Sequence, residues 1–265
     1  MVQFCIKNGW EMNALSISTA LEVAFNGALV RYRELLDSVL ARHETVVQAG
    51  PFAGLALSRR TSWGGGDMLP KLLGVYESEL HPALHEILGL QPDILVNIGA
   101  AEGYYPIGLA RLLPRLRCHA FDIAAEARSV CHENAVINRV QDRVLVHGAC
   151  DHASLQALLA AAARPALICD CEGAERMLLD PFPVPALLRS TMIVECHDFL
   201  DRSITPLLIE RFRNSHDVFM VREGARDPNA VGFLATLNSL DRWIAVCEFR
   251  PETMHWLYCR PRQGT

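Results

Sequence analysis

The chain has 265 residues, 51% of them hydrophobic and 21% charged, which suits one large α/β domain, or one with an added helical part, around a sizeable core. A net charge of −5 and a pI near 6.1 argue against a polyanionic nucleic-acid partner. No basic segment followed by an apolar run opens the sequence and no uncharged apolar stretch is long enough to span a bilayer, so the expectation is a soluble cytoplasmic protein without a membrane partner.

Residues 1–88 carry no clear strand series and read as a helical cap with a substrate or lid region. Leucine, valine and alanine at helical spacing predict one long helix, or two, over Ala20 to His43. Gly50-Pro51, Gly54 and Gly64-Gly65-Gly66 are loop signals, and the triple glycine is the expected flexible point. Trp63 beside it is a candidate either to close over a substrate or to anchor the loop. Leu72 to Leu88 returns to helical spacing with a break near Pro82, and Tyr76 and Glu77 fall on the surface of that helix.

From residue 89 onward strands and helices alternate, the signature of βαβ units in a parallel sheet. The predicted strands are Ile94 to Ile98, Arg117 to Asp122, Arg143 to His147, Ala166 to Asp170, Thr191 to Cys196, Asp217 to Val221 and Met254 to Cys259. Predicted helices run from Tyr104, with Pro106 in the first turn, from Glu126 to Asn138, from His152 to Ala163, from near Gly173, and from Arg242 to Phe249. The expected fold is α/β, a doubly wound seven-stranded mostly parallel sheet with an N-terminal helical cap. His132 and Asn134 read as structural residues of the helix after the second strand.

The stretch Asp93 to Pro114 reads as strand, glycine turn and helix, which aims backbone N–H groups and a helix N-terminus at a ligand. Asp122 stands 19 residues past Gly103, placed to accept hydrogen bonds from ribose hydroxyls. Ala101 occupies the position where a dinucleotide fingerprint has its central glycine, and no phosphate-cradling GxxxxGK[ST] motif is present. Glu102 in the turn would repel a pyrophosphate and suit a ligand carrying positive charge. Among the nine cysteines, read as free thiols, Cys169-x-Cys171 is the only close pair and is expected to be a poor metal clip.

The segments ILVNIGAAEGYYPIGLA, HAFDI, HENAVINRVQDRVLVHGAC and ALICDCEGAERMLL, in order over about residues 90–200, resemble the S-adenosylmethionine-dependent methyltransferases, specifically the FkbM-like ones. GPFAGLAL, PKLLGVYESEL and, more weakly, CEFRPETMHWL are similar to segments that accompany some of these enzymes. The resemblance implies S-adenosyl-L-methionine as cofactor, with Gly99, Ala100 and Gly103 facing its amino acid part and Asp122 holding its ribose. Ile123 would pack on the adenine, and Gly148, Ala149 and Cys150 would border it. Strand one carries Asn97 where many relatives have an acid, a loss for which Glu102 is the candidate compensation. Tyr104, which walls the cofactor or packs the helix start, and Asp170 complete the cofactor set. Tyr76 and Glu77, with Trp63 and Tyr105, make up the substrate or lid set.

A second cluster comprises Asp170, Glu172 and Glu175 after strand four, then Glu195, His197 and Asp198 after strand five. Methyl transfer to a hydroxyl needs a base, and His197 is the best candidate by its ordinary pKa, with Asp170 and Glu172 beside it as catalytic residues. Asp170, Glu195, His197 and Asp198 also form a possible ligand set for a divalent cation such as Mg²⁺, although the expected site holds no metal. Glu175 reads as an acid complementing a helix dipole. The expected function is O-methylation of a small molecule, sugar or natural product. N-methylation of an amine, a nicotinamide-dependent oxidoreductase and a non-catalytic nucleoside-binding protein are the alternatives, and the N-terminal helices are a candidate homodimer interface.

Overall fold

The computed structural model describes residues 17–42, 44–62 and 66–262. The helical part begins with α1 (Ile17–Arg42), so the predicted helix ends one residue before His43, which lies outside the described residues, as does Trp63. The predicted Leu72–Leu88 helix is divided into α2 (Met68–Leu73), a 3₁₀ turn (Ser78–Leu80) and α3 (His81–Leu90). The break lies at Gly74, not near Pro82. Gly74 has φ 75°, and a Cβ there would stand 2.1 Å from the carbonyl oxygen of Ala49. Pro82 sits in the first turn of α3, where its missing N–H costs nothing.

The sheet comprises β1 (Ile94–Ile98), β2 (Arg117–Phe121), β3 (Val144–His147), β4 (Pro165–Cys169), β5 (Thr191–Glu195), β6 (His216–Arg222) and β7 (His255–Pro261), in the spatial order β3-β2-β1-β4-β5-β7-β6. β1 to β5 run parallel, and β7 is antiparallel to both β5 and β6. The connecting helices include α4 (Tyr104–Leu112), α5 (Ala125–Ile137), α6 (His152–Ala161) and α7 (Glu175–Leu178). Strand order reverses between β1 and β4, where such sheets open a crevice at their carboxyl ends. Register places Ile98 beside both Phe121 and Cys169, and Cys169 beside Val194. The next residues therefore form one row along that edge: Asp122, Gly99, Asp170 and Glu195.

Both faces of the sheet are covered, which is why β1 is apolar throughout except at Asn97. Leu95 packs in a core with Tyr32, Phe52, Leu69, Leu84 and Ile107, while Val96 and Ile98 pack with Leu155, Leu167 and Leu208. The helical part thus shares its core with the sheet. Tyr32 Oη accepts the Leu69 N–H at 2.8 Å, and Phe52 lies over α4, its ring 5.1 Å from that of Tyr104. The predicted Arg242–Phe249 helix is instead Ser239–Ala245, capped by Asn238, whose Oδ1 accepts the Asp241 N–H at 2.9 Å. Beyond it Phe249 adopts φ 52°, and residues 248–251 turn toward the crevice. Among the described residues no helix is long and apolar enough to cross a membrane.

Candidate functional site

Two cavities meet along the row of strand ends. One, of about 370 Å³, is mostly apolar and lies between Ile123, Gly148–Cys150 and Met177. The other, of about 390 Å³, is lined by Asp67, Lys71, Tyr76, Glu172, Glu195, His197 and Glu248–Pro251. Gly99, Asp122, Asp170 and Glu172 line both.

Gly99 is obligatory at this junction. Its φ is +74°, and a Cβ there would lie 1.5 Å from the carbonyl oxygen of Asp170. Ala101 also adopts positive φ, 46°, and donates its N–H to Asp122 Oδ2 at 2.9 Å. The Ala124 N–H donates to Oδ1 at 2.8 Å. Two backbone donors thus fix the Asp122 carboxylate at the mouth of both cavities, with lone pairs left for a ligand. Ile123 beside it is 84% exposed, an apolar side chain with a free face. Across the slot, a Cβ added at Gly148 would meet nothing within 4 Å, so a flat ring can lie against bare backbone.

Several expected cofactor residues do not reach the cavities. Ala100 and Tyr104 are packed in the core, and a Cβ on Gly103 would point at Ile107 and Cys131. Asn97 is buried and donates to the Ile168 carbonyl at 3.2 Å, while its Oδ1 has no partner. Glu102 is not a free charge for a cofactor ammonium. It is buried against the Lys71 ammonium and accepts from Ser62 Oγ at 2.9 Å. Burial alone would lower the pKa of Lys71, but the Asp67 and Glu102 carboxylates outweigh it and hold it above its ordinary value. Asn134 serves the frame, donating to the Glu102 carbonyl at 2.9 Å and accepting the Ser58 N–H at 2.6 Å; His132 is exposed.

Asp170, Glu172 and His197 come together. His197 Nε2 lies 3.4 Å from Asp170 Oδ1 and 3.5 Å from Glu172 Oε2. Glu172 reaches this position through a left-handed backbone, φ 53°. Glu175 is more than a helix-dipole acid. Fully buried, its Oε1 lies 2.7 Å from His197 Nδ1 and accepts the Cys171 and Gly173 N–H groups at 3.1 and 3.3 Å. Burial would raise the Glu175 pKa, but the hydrogen bond and charge of His197 pull it down, so the carboxylate is ionised and Nδ1 carries the proton. For His197 burial alone lowers the pKa, and Glu175 followed by Glu195 and Glu172 raises it above the ordinary value. Asp170 is pushed well up by burial, then by the neighbouring charges of Glu195, Glu77 and Glu172, against Arg250.

The expected cation ligands Glu195 and Asp198 do not join this group. Glu195 is bound by Arg250, which also pairs with Glu77 at 2.7 Å and Glu248 at 2.9 Å. Burial, then Glu77, lifts the Glu195 pKa to about 7 against the pull of Arg250 and His197. Asp198 turns away from the cavity, accepting the Thr205 N–H at 3.1 Å beside His255. Among the described residues, Asp170, Glu172 and His197 are the cluster whose ligand atoms all lie within 4.8 Å of one another.

Nor is Glu77 a surface lid residue. It is 2% exposed with φ 44°, and Tyr105 Oη donates to it beneath the cavity. Tyr76 does line the cavity, its ring 4.6 Å from Lys71 Nζ. The Cys169 and Cys171 thiols touch, Sγ to Sγ 3.4 Å, across the end of β4. Sequence reasoning missed Lys71, Glu175, Glu248 and Arg250 as wall or frame residues. For Lys71 the available signal was the single charge inside the apolar segment PKLLGVY.

No family model matches the sequence, and no curated protein matches it. Among solved structures, the fold is similar to an O-methyltransferase from Bacillus cereus in complex with SAH (15% identity, 73% of this chain and 84% of that one, TM-score 0.39). It is also similar to the O-methyltransferase TomG from Streptomyces achromogenes in complex with SAM (14% identity, 78% and 92%, TM-score 0.46). A third is the precorrin-6y C5,15-methyltransferase from Geobacter metallireducens GS-15 (11% identity, 69% and 89%, TM-score 0.43). Such distant likenesses carry no functional argument, which rests on the residues of the cleft.

Proposed function

We propose that this protein is an S-adenosylmethionine-dependent methyltransferase of the FkbM-like kind that methylates a hydroxyl of a small molecule, sugar or natural product. The observation that carries this reading is the shared edge: Asp122, a fixed carboxylate at the end of β2, and the Asp170–Glu172–His197 cluster open onto the same pair of joined cavities. The residues fit the cofactor. The apolar slot between Ile123 and the bare backbone of Gly148 suits adenine, and Asp122 suits ribose hydroxyls. Six carboxyl groups outnumber Lys71 and Arg250 in the polar cavity, a balance that favours a sulfonium over the pyrophosphate of a nicotinamide cofactor.

When bound, the cofactor supplies an electrophilic methyl group. The chain supplies position and a proton acceptor. An acceptor hydroxyl against the cluster loses its proton there, His197 being held by Glu175 with Nε2 toward the cavity. An amine would use the same geometry with less need of the base, so N-methylation is the nearest alternative. The exposed Leu21, Val23, Phe25 and Val30 of α1 support a homodimer through the N-terminal helices, which solution light scattering would test. Calorimetry with S-adenosylmethionine, S-adenosylhomocysteine and NAD tests the main reading. The first two bind and NAD does not; binding of NAD alone, or of none, overturns it.

A further inference from the structure

The environment of His197 leaves one interaction unmade. Its side chain is 3% exposed, and Nδ1 gives its proton to Glu175. Nε2 then presents a lone pair, and among the described residues it makes no hydrogen bond. What faces it are the carboxylate oxygens of Asp170 and Glu172, at 3.4 and 3.5 Å. Three side chains able to ligate a cation converge here, and no hydrogen bond joins Nε2 to either carboxyl group.

A second proton on Nε2 would not close this gap, because charge-assisted N–H···O bonds run about 2.7–2.9 Å. Atoms that share one ion at about 2.0–2.2 Å lie about 3–3.5 Å apart, which is the spacing of Nε2 from each carboxylate oxygen. The buried carboxylate on the other ring nitrogen is the arrangement that orients a ligating imidazole.

From these distances we infer that Asp170, Glu172 and His197 bind a divalent first-row transition ion. The imidazole suits iron or zinc and the two carboxylates also admit manganese, whereas magnesium and calcium take oxygen ligands. What the ion would do rests on the methyltransferase reading, whereas its binding does not: it would make an acceptor hydroxyl more acidic, with His197 then a ligand rather than the proton acceptor.

The test is titration of the chelator-stripped full chain with Mn²⁺ alone, following loss of the free-ion electron paramagnetic resonance signal, with pulsed measurement of nitrogen coupling. One ion per chain with imidazole coupling is expected. His197→Gln should abolish the coupling and weaken binding at least about tenfold, and Glu175→Gln should weaken it about 10–100-fold. A cooperative thermal melt of each variant, at whatever midpoint, shows that it is folded. No binding by the wild type, or coupling that survives in His197→Gln, overturns the inference. If Mn²⁺ binds while neither S-adenosylmethionine nor S-adenosylhomocysteine does, the metal site stands and the methyltransferase reading falls.

Discussion

Glu175→Gln isolates the charge that holds His197. The amide keeps the side chain's size and can still accept the Cys171 and Gly173 N–H groups, so the loop after β4 retains its frame. What disappears is the ionised acceptor 2.7 Å from Nδ1. A hydrogen bond to a charged group contributes about 1.5–3 kcal/mol, so the metal-free variant should lose that much stability near neutral pH. If the same interaction sets the imidazole in the transition state, methyl transfer should fall about 10- to 150-fold. The histidine titration gives the sharper readout. Glu175 is the principal group raising His197, and burial opposes it, so its removal should lower the His197 pKa. The wild-type contribution has a defined sign: raised in the folded state, it is fully present below the unfolded pKa and is lost as pH rises through the folded one. Nitrogen-15 detected histidine titrations of wild type and variant would read this directly. An unmoved His197 pKa would refute the role given to Glu175.

Asp122→Ala should weaken S-adenosylhomocysteine binding by about 10- to 150-fold in calorimetry, the loss of one charged hydrogen bond, with Asp122→Asn intermediate. Gly148→Ala should melt as the wild type does, because its Cβ meets nothing, while Gly148→Phe should fill the slot and abolish nucleoside binding without lowering the melting temperature. Glu248 is held up at about 7, by burial first, against the pull of Arg250 and Arg226. Its raised pKa makes a contribution that is complete below about pH 4.5 and gone above about pH 7, up to about 3 kcal/mol, so melting temperature should fall across that interval and fall less in Glu248→Gln.

The sheet was legible because its cause is local. Apolar runs such as Ile94–Ile98 and Thr191–Glu195 are buried on both faces and bounded by turn residues, and the observed strands lie within a few residues of those expected. Asp122 and His197 were legible as the polar residues that follow such runs. The cap was harder to read, since the Leu72–Leu88 periodicity continues through Gly74, which takes a left-handed conformation and caps the helix where Ala49 packs against it. Glu102 and Glu175 were misjudged for one reason: each has a partner distant in sequence, Lys71 and His197, and the pairing converts a free charge into frame. Glu248 and Arg250 escaped notice because helical spacing over Arg242–Phe249 concealed the end of the helix at Ala245.

In the proposed function, the cleft at the ends of β1, β2, β4 and β5 seats a methyl donor beside a proton acceptor. A crystal structure with S-adenosylhomocysteine bound tests it most directly. Adenine should lie between Ile123 and Gly148, the ribose hydroxyls on Asp122, and the sulfur should face Asp170 and His197. A nucleoside seated away from Asp122, or a sulfur pointing away from His197, would contradict the account.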